Sequence, residues 1–293
     1  MGAPLIQSAP DPVVEPPGPL AGLSRILVVG GASGIGNATV ARLLDGGYHV
    51  IVADRSRERL EALGREHALR HDRFSSLHIE LTDPRVMHEA LARIKEEFGT
   101  VDGLIISAGI HSTCPVEYLS DEAIHRVVDI NLTAHIKLIR DALPILNDGS
   151  RIIGVSSIAA GLGVPMSSLY SASKAGLEAF YESLAIEVSY RRIRPIVIHP
   201  GTVNTGFNET GNEYRPTGNR FLDEGYRRVV SRIESRSGMD PDDVAAVIIM
   251  ALQSRAPRFC YLVGSNAKKA YWAKRLLGRE AALKLMARYF GFR

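Results

Sequence analysis

Ile26-Leu27-Val28-Val29 runs directly into Gly30-Gly31-Ala32-Ser33-Gly34-Ile35-Gly36, and helical apolar spacing follows from Asn37. An apolar run without polar alternation suits a strand buried on both faces, as in the interior of a parallel sheet. Glycines between such a strand and a helix let the backbone turn sharply and approach a pyrophosphate, with the helix N-terminus facing the anion. Gly30, Ser33, Gly34, Ile35 and Gly36 are therefore the first candidate cofactor-binding residues.

The same rhythm continues along the chain. Strand-like runs at 48–53, 74–81, 104–106, 151–155, 195–198 and 259–263 alternate with helical patterns at 57–69, 83–98 and 121–143, around Tyr170, and from Pro241 onward. This alternation predicts an α/β fold, a Rossmann-like doubly wound parallel sheet flanked by helices in a single domain. The domain is expected over 23–265. Residues 1–22 carry six prolines and lack the basic start and apolar core of a secretory signal, so they read as a disordered tail. Residues 206–240 break the rhythm and read as an irregular substrate lid. Its aromatic residues Phe207, Tyr214, Phe221 and Tyr226 suit a ring-containing or medium-sized alcohol or ketone.

With 293 residues and 45% apolar side chains, the chain has material for one large core. No apolar stretch is long enough to span a bilayer. Cys114 and Cys260 form neither a disulfide framework nor a metal-ligand spacing; they read as small buried hydrophobes in a reduced, cytoplasmic compartment. No metal is suggested: the histidines are scattered, His67 and His71 share a charged helical surface without a third ligand, and His199 reads as a packed strand-end residue. The net charge of +3 is uneven, because 266–293 holds eight Lys or Arg against Glu280 alone. Confined to one segment, that charge argues against a nucleic-acid partner. Within it, 270–290 reads as an amphipathic helix through Tyr271, Trp272, Leu276, Leu283, Met286 and Phe290. It packs on the domain or a partner subunit, or else makes a peripheral membrane contact.

Tyr170 and Lys174 are four residues apart in a proline-free, alanine-rich stretch, which sets phenol and ammonium on one helical face. Ser157 lies thirteen residues upstream of Tyr170. A phenol with a pKa near 10 is a poor proton-transfer group at neutral pH, and bringing it to roughly 7 takes about 4 kcal/mol. A cation a few ångströms away in a partly dry site supplies that much. Asp54 closes the second strand eighteen residues past Gly36. Its carboxylate suits a ribose 2′-hydroxyl and repels a 2′-phosphate, while Arg55 beside it suits the phosphate. NAD is favoured over NADP.

These motifs, in this order, resemble the short-chain dehydrogenase/reductase family in its compact branch. The glycine motif stands as Val29-Gly30-x-x-x-Gly34-x-Gly36, and a second motif as Ile106-Ser107-Ala108-Gly109. Asn131, Ser157, Tyr170 and Lys174 fall on the family's active-site positions, and Pro200-Gly201-Thr202-Val203-Asn204-Thr205 on the loop beside the nicotinamide. The resemblance implies hydride transfer between a dinucleotide and a secondary alcohol or ketone. Tyr170 exchanges the proton, Lys174 lowers the phenol's pKa, Ser157 hydrogen-bonds the substrate oxygen, and Asn131 holds a relay water. It further implies cofactor contacts from Leu81, Ala108, Gly109, Pro200, Gly201, Val203 and Thr205, and a homodimer or homotetramer. Val29 and Ile106-Ser107 depart from the family's polar residues, leaving an apolar contact between the first and fourth strands. Glu80 stands where an aspartate is usual. A dehydratase or epimerase, or a non-catalytic cofactor-binding regulator, are the rival readings on the same fold.

Overall fold

Alternate residues of the first strand, β1 (Arg25–Val29), enter two different cores: Leu27 and Val29 on one side, Ile26 and Val28 on the other. That is the period-two geometry of a strand covered on both faces. The computed structural model describes residues 24–292 apart from 71, 208–213, 215, 217 and 235–237. The tail at 1–22 and part of the segment at 206–240 lie outside the described residues.

After β1 come α1 (Gly34–Asp45), β2 (His49–Asp54), α2 (Arg57–Glu66), β3 (Phe74–His78), α3 (Pro84–Phe98) and β4 (Val101–Ile106). Next are α4 (Asp121–Val128), α5 (Ala134–Ala142), β5 (Leu146–Val155), α6 (Ile158–Gly161), α7 (Ser168–Glu187) and β6 (Arg194–Pro200). The chain closes with α8 (Arg220–Glu234), α9 (Pro241–Gln253), β7 (Cys260–Val263) and α10 (Ser265–Phe290). The strands form one parallel sheet in the order β3-β2-β1-β4-β5-β6-β7. One layer of helices (α3, α5, α7) packs through Met87, Ile94, Leu138 and Leu177; the other (α1, α2, α9) packs through Val40, Leu43, Leu60 and Ile248. The strand order reverses between β1 and β4, which opens a crevice at the carboxyl ends of the strands. Val29 and Ile106 are register neighbours there and both are buried, so the apolar contact expected between these strands is present.

Several boundaries differ from the sequence reading. The expected helix at 121–143 is two helices joined by a π turn at Asp129–Thr133. β3 ends at His78, and β5 starts at Leu146. Residues 206–240 are not irregular throughout, because α8 occupies much of the described part. Its i,i+4 ion pairs Arg220–Glu224 and Arg228–Glu224 support a charged helix that apolar periodicity alone does not reveal. The C-terminal helix starts at Ser265 and is kinked at Gly278, whose φ of 77° and ψ of 170° interrupt helical geometry. Of the six apolar residues expected to form its packed face, Phe290 is buried while Leu276 is 79% exposed. His67 is buried against Phe74 rather than on a charged surface, and His71 lies outside the described residues. Among the described residues no helix is long and apolar enough to cross a membrane.

Candidate active site

Each strand that ends at the crevice delivers one piece of the site. After β1, Gly30 adopts φ 76°, and a Cβ on it would lie 2.6 Å from the Ala108 backbone nitrogen. At Gly36 a Cβ would lie 2.0 Å from the Gly30 carbonyl oxygen, so only glycine allows this tight strand-to-helix turn. Ser33 stands at the N-cap of α1, yet no side chain caps the helix and its first turn has no acidic residue. The free N–H groups of that turn open into the crevice, an arrangement suited to a phosphate.

After β2, Asp54 accepts hydrogen bonds from the Ala32 N–H (3.1 Å) and the Ser56 N–H (3.0 Å). Its carboxylate thus ties the glycine loop to the start of α2 while still facing the cleft. Arg55 and Arg59 line the same lip. Leu81 and Glu80 form the wall opposite, and Glu80 accepts from the Thr82 N–H and hydroxyl.

After β4 come Ser107, Ala108 and Gly109, and the π turn brings Asn131 against them. Asn131 is fully buried; its Oδ1 accepts from the Ile110 N–H (2.8 Å), and its Nδ2 donates to the Ile110 carbonyl (2.9 Å) and Ser173 Oγ (3.1 Å). The side chain is a clamp on the loop that carries Gly109 and His111. Both ends of its amide are thereby engaged with the Ile110 main chain and Ser173.

After β5, Ser157 caps the short α6, its Oγ accepting from the Ala159 N–H at 3.1 Å. His199 at the end of β6 holds the Ser157 carbonyl from behind, Nδ1 donating at 3.0 Å. Ser157 also hydrogen-bonds the Tyr170 hydroxyl. On α7, Lys174 donates to the Val155 carbonyl at 3.0 Å, and its Nζ stands 5.9 Å from the Tyr170 ring centroid.

The electrostatics correct one expectation. Burial pushes the Tyr170 phenol up to about 12, and the lowering contribution comes from Ser157 rather than Lys174. Burial likewise pulls Lys174 down to about 8. In this structure the phenol is thus protonated at neutral pH, and its neighbouring amine keeps most of its charge.

Pro200, Gly201, Val203 and Thr205 complete the wall at the end of β6 and beyond, and one cleft of about 850 Å³ joins every site residue expected from the sequence except Gly36 and Asn131. Two features escaped the sequence reading, His111 and the end of α10, and a third, the set of lid aromatics, differs from it. His111 packs edge-on against Tyr170 with ring centroids 4.7 Å apart, and burial lowers its pKa to about 4. Phe207 is the sole member of the four expected lid aromatics that lines the cleft. Tyr214 stacks on Tyr226, and Phe221 on Phe292. The end of α10 also lines the cleft, through Leu285, Met286, Tyr289 and Phe290. Nothing in a motif scan marks these positions; their role comes from what the fold sets opposite them.

Residues 24–215 match the family model described as short chain dehydrogenase. Similar curated proteins include a 3-ketodihydrosphingosine reductase of Bacteroides thetaiotaomicron, 30% identical over 82% of this chain and 87% of its own length. A 3-oxoacyl-(acyl-carrier-protein) reductase of Rickettsia conorii is 31% identical over 82% of this chain and 92% of its own. Among solved structures, a short-chain dehydrogenase from Streptomyces avermitilis superposes with a TM-score of 0.79 at 26% identity, covering 91% of this chain and 97% of that one. An alcohol dehydrogenase from Thermococcus sibiricus, complexed with 5-hydroxy-NADP, shares the fold with a TM-score of 0.70 at 21% identity, over 82% of this chain and 96% of its own.

Proposed function

This chain belongs to the short-chain dehydrogenase family, and on that premise we propose that it reduces a ketone to a secondary alcohol with a nicotinamide dinucleotide. The observation that carries the reading is the shared cleft: the uncapped start of α1, the Asp54 carboxylate and the Ser157-Tyr170-Lys174 group all open into it. A dinucleotide fits the glycine turn, where no side chain competes for the helix N-terminus, and when bound it supplies the hydride.

The protein's own groups supply the rest. Tyr170, held protonated by burial, donates the proton that the carbonyl oxygen takes as its carbon is reduced. Ser157 hydrogen-bonds the same oxygen as charge develops on it. Lys174, anchored by Val155, supplies positive charge beside the phenolate that remains once the proton has left. Asn131 is a positioning residue that fixes the loop under the reacting groups. His111 narrows the space beside the Tyr170 ring. The names of the relatives, reductases of keto and oxoacyl compounds, support the direction of reduction.

NAD is the cofactor that Asp54 favours, because a carboxylate at the end of β2 repels a 2′-phosphate. NADP is the second reading, supported by Arg55 and Arg59 on the same lip. A homodimer or homotetramer in a cytoplasmic setting belongs to the same proposal. So does an alternative in which the exposed Trp272, Leu276 and Leu277 of α10 meet a membrane surface. The test is loss of reduced-cofactor absorbance against a ketone panel, run with NADH and NADPH separately. Ketone-dependent loss is expected; none with either cofactor on any ketone would refute the reductase assignment.

A further inference from the structure

The same cleft also takes in α8, the last turns of α10 and the segment just after α6, which together form its α10 compartment. Its walls there are Leu162, Val164, Ile233, Leu285, Met286 and Phe290. Leu285, one of these lining residues, is an apolar side chain left 49% exposed. The wall is not a loose tail. Gly278 turns the end of α10 back over the domain, and α10 packs on both α6 and α8. The Lys274 ammonium donates to the Gly161 carbonyl. Farther on, the Arg232 guanidinium lies 4.6 Å from the Tyr289 ring centroid, and that of Arg228 lies 5.7 Å from Phe292. Phe292 packs so closely on Gly225 that a Cβ there would come within 2.7 Å of the ring. The end of α10 is thus pinned to α8, and the space it encloses is lined by Leu162, Val164, Ile233, Leu285 and Met286 together with the rings of Tyr289 and Phe290.

We propose that this compartment receives a long hydrocarbon chain, so that the substrate is a carbonyl compound with an extended alkyl or acyl tail and α10 sets its length preference. The proposal rests on the reductase reading for the position of the carbonyl. Apolar walls with an adaptable methionine conform to a flexible chain, and such a surface gains affinity with each methylene it covers.

A series of methyl ketones from butanone to dodecanone tests the proposal. Each added methylene buried in the compartment raises kcat/KM about threefold to fourfold until the space is full. In Met286→Trp, which fills it, and in Leu285→Asp, which charges it, the dodecanone-to-butanone ratio of kcat/KM falls at least about tenfold. A second readout needs no turnover: dodecanone raises the melting temperature of the wild-type chain, butanone does not, and Leu285→Asp loses the rise. A flat series together with no dodecanone-specific stabilisation would overturn the proposal. Stabilisation by dodecanone without turnover of any ketone would leave the compartment standing and refute the reductase reading instead.

Discussion

Lys174 Nζ donates to the main-chain carbonyl of Val155 at 3.0 Å, joining the second turn of α7 to the last residue of β5. That bond holds the amine at the crevice rather than at the solvent surface, and it does so in a fully buried setting. The setting has a thermodynamic consequence that pH reveals. Lys174 titrates near 8 when folded and near 10.5 in its ordinary state. Between those values the unfolded chain holds more protons than the folded one, so stability rises with pH across that window. Relative to Lys174→Met, the wild-type chain gains on the order of 2 kcal/mol between pH 8 and pH 10. Urea unfolding of both forms at several pH values measures it. A difference independent of pH would show that the amine is not buried as described.

Asn131 makes three hydrogen bonds and is fully buried, two of them to one residue, Ile110. Asn131→Ala leaves the Ile110 N–H and carbonyl without partners, a loss of about 3 kcal/mol. Chemical denaturation without cofactor checks this. A loss below about 1 kcal/mol would mean that the loop does not depend on the clamp.

Two glycines should respond to alanine with opposite signs. At Gly36 the added methyl meets the Gly30 carbonyl oxygen at 2.0 Å, so Gly36→Ala distorts the turn and removes cofactor binding. At Gly64, inside α2, nothing lies within 4 Å, and Gly64→Ala stabilises by about 1 kcal/mol. Calorimetric melting and cofactor titration of the two variants separate the effects. Retained binding in Gly36→Ala would contradict the tight-turn account.

Much of this arrangement is legible in the sequence because its causes are local. Four consecutive apolar residues before Gly30, and Pro84 behind a capping Asp83, each announce an element without reference to the rest of the chain. The grouping of Ser157, Tyr170 and Lys174 was legible in two ways: helix spacing puts Tyr170 and Lys174 on one face, whereas Ser157 was placed by the family resemblance. The phenol's pKa was not. It depends on how much water the surrounding walls exclude, and those walls include His111 and Phe207, which carry no motif. The role of α10 was hidden for a similar reason. Apolar spacing shows that a helix has something to bury, but the kink at Gly278 decides what its second half meets.

On the proposed reading, cofactor choice rests on Asp54, Arg55 and Arg59, which line the cleft together. Asp54→Ala removes a like charge near a 2′-phosphate and raises the NADPH-to-NADH ratio of kcat/KM at least about tenfold, since such a charge near a protein surface is worth a few kcal/mol. Arg59→Ala moves the ratio the other way. Ratios unchanged in both variants would show that the lip does not read the ribose.

The central claim is that the Tyr170 hydroxyl passes the proton to the substrate oxygen. Single-turnover reduction of a ketone by Tyr170→Phe, with cofactor binding verified by titration, tests it most directly. The expected result is a rate lower by roughly two to four orders of magnitude with cofactor affinity retained. A rate within a few-fold of wild type would contradict the account.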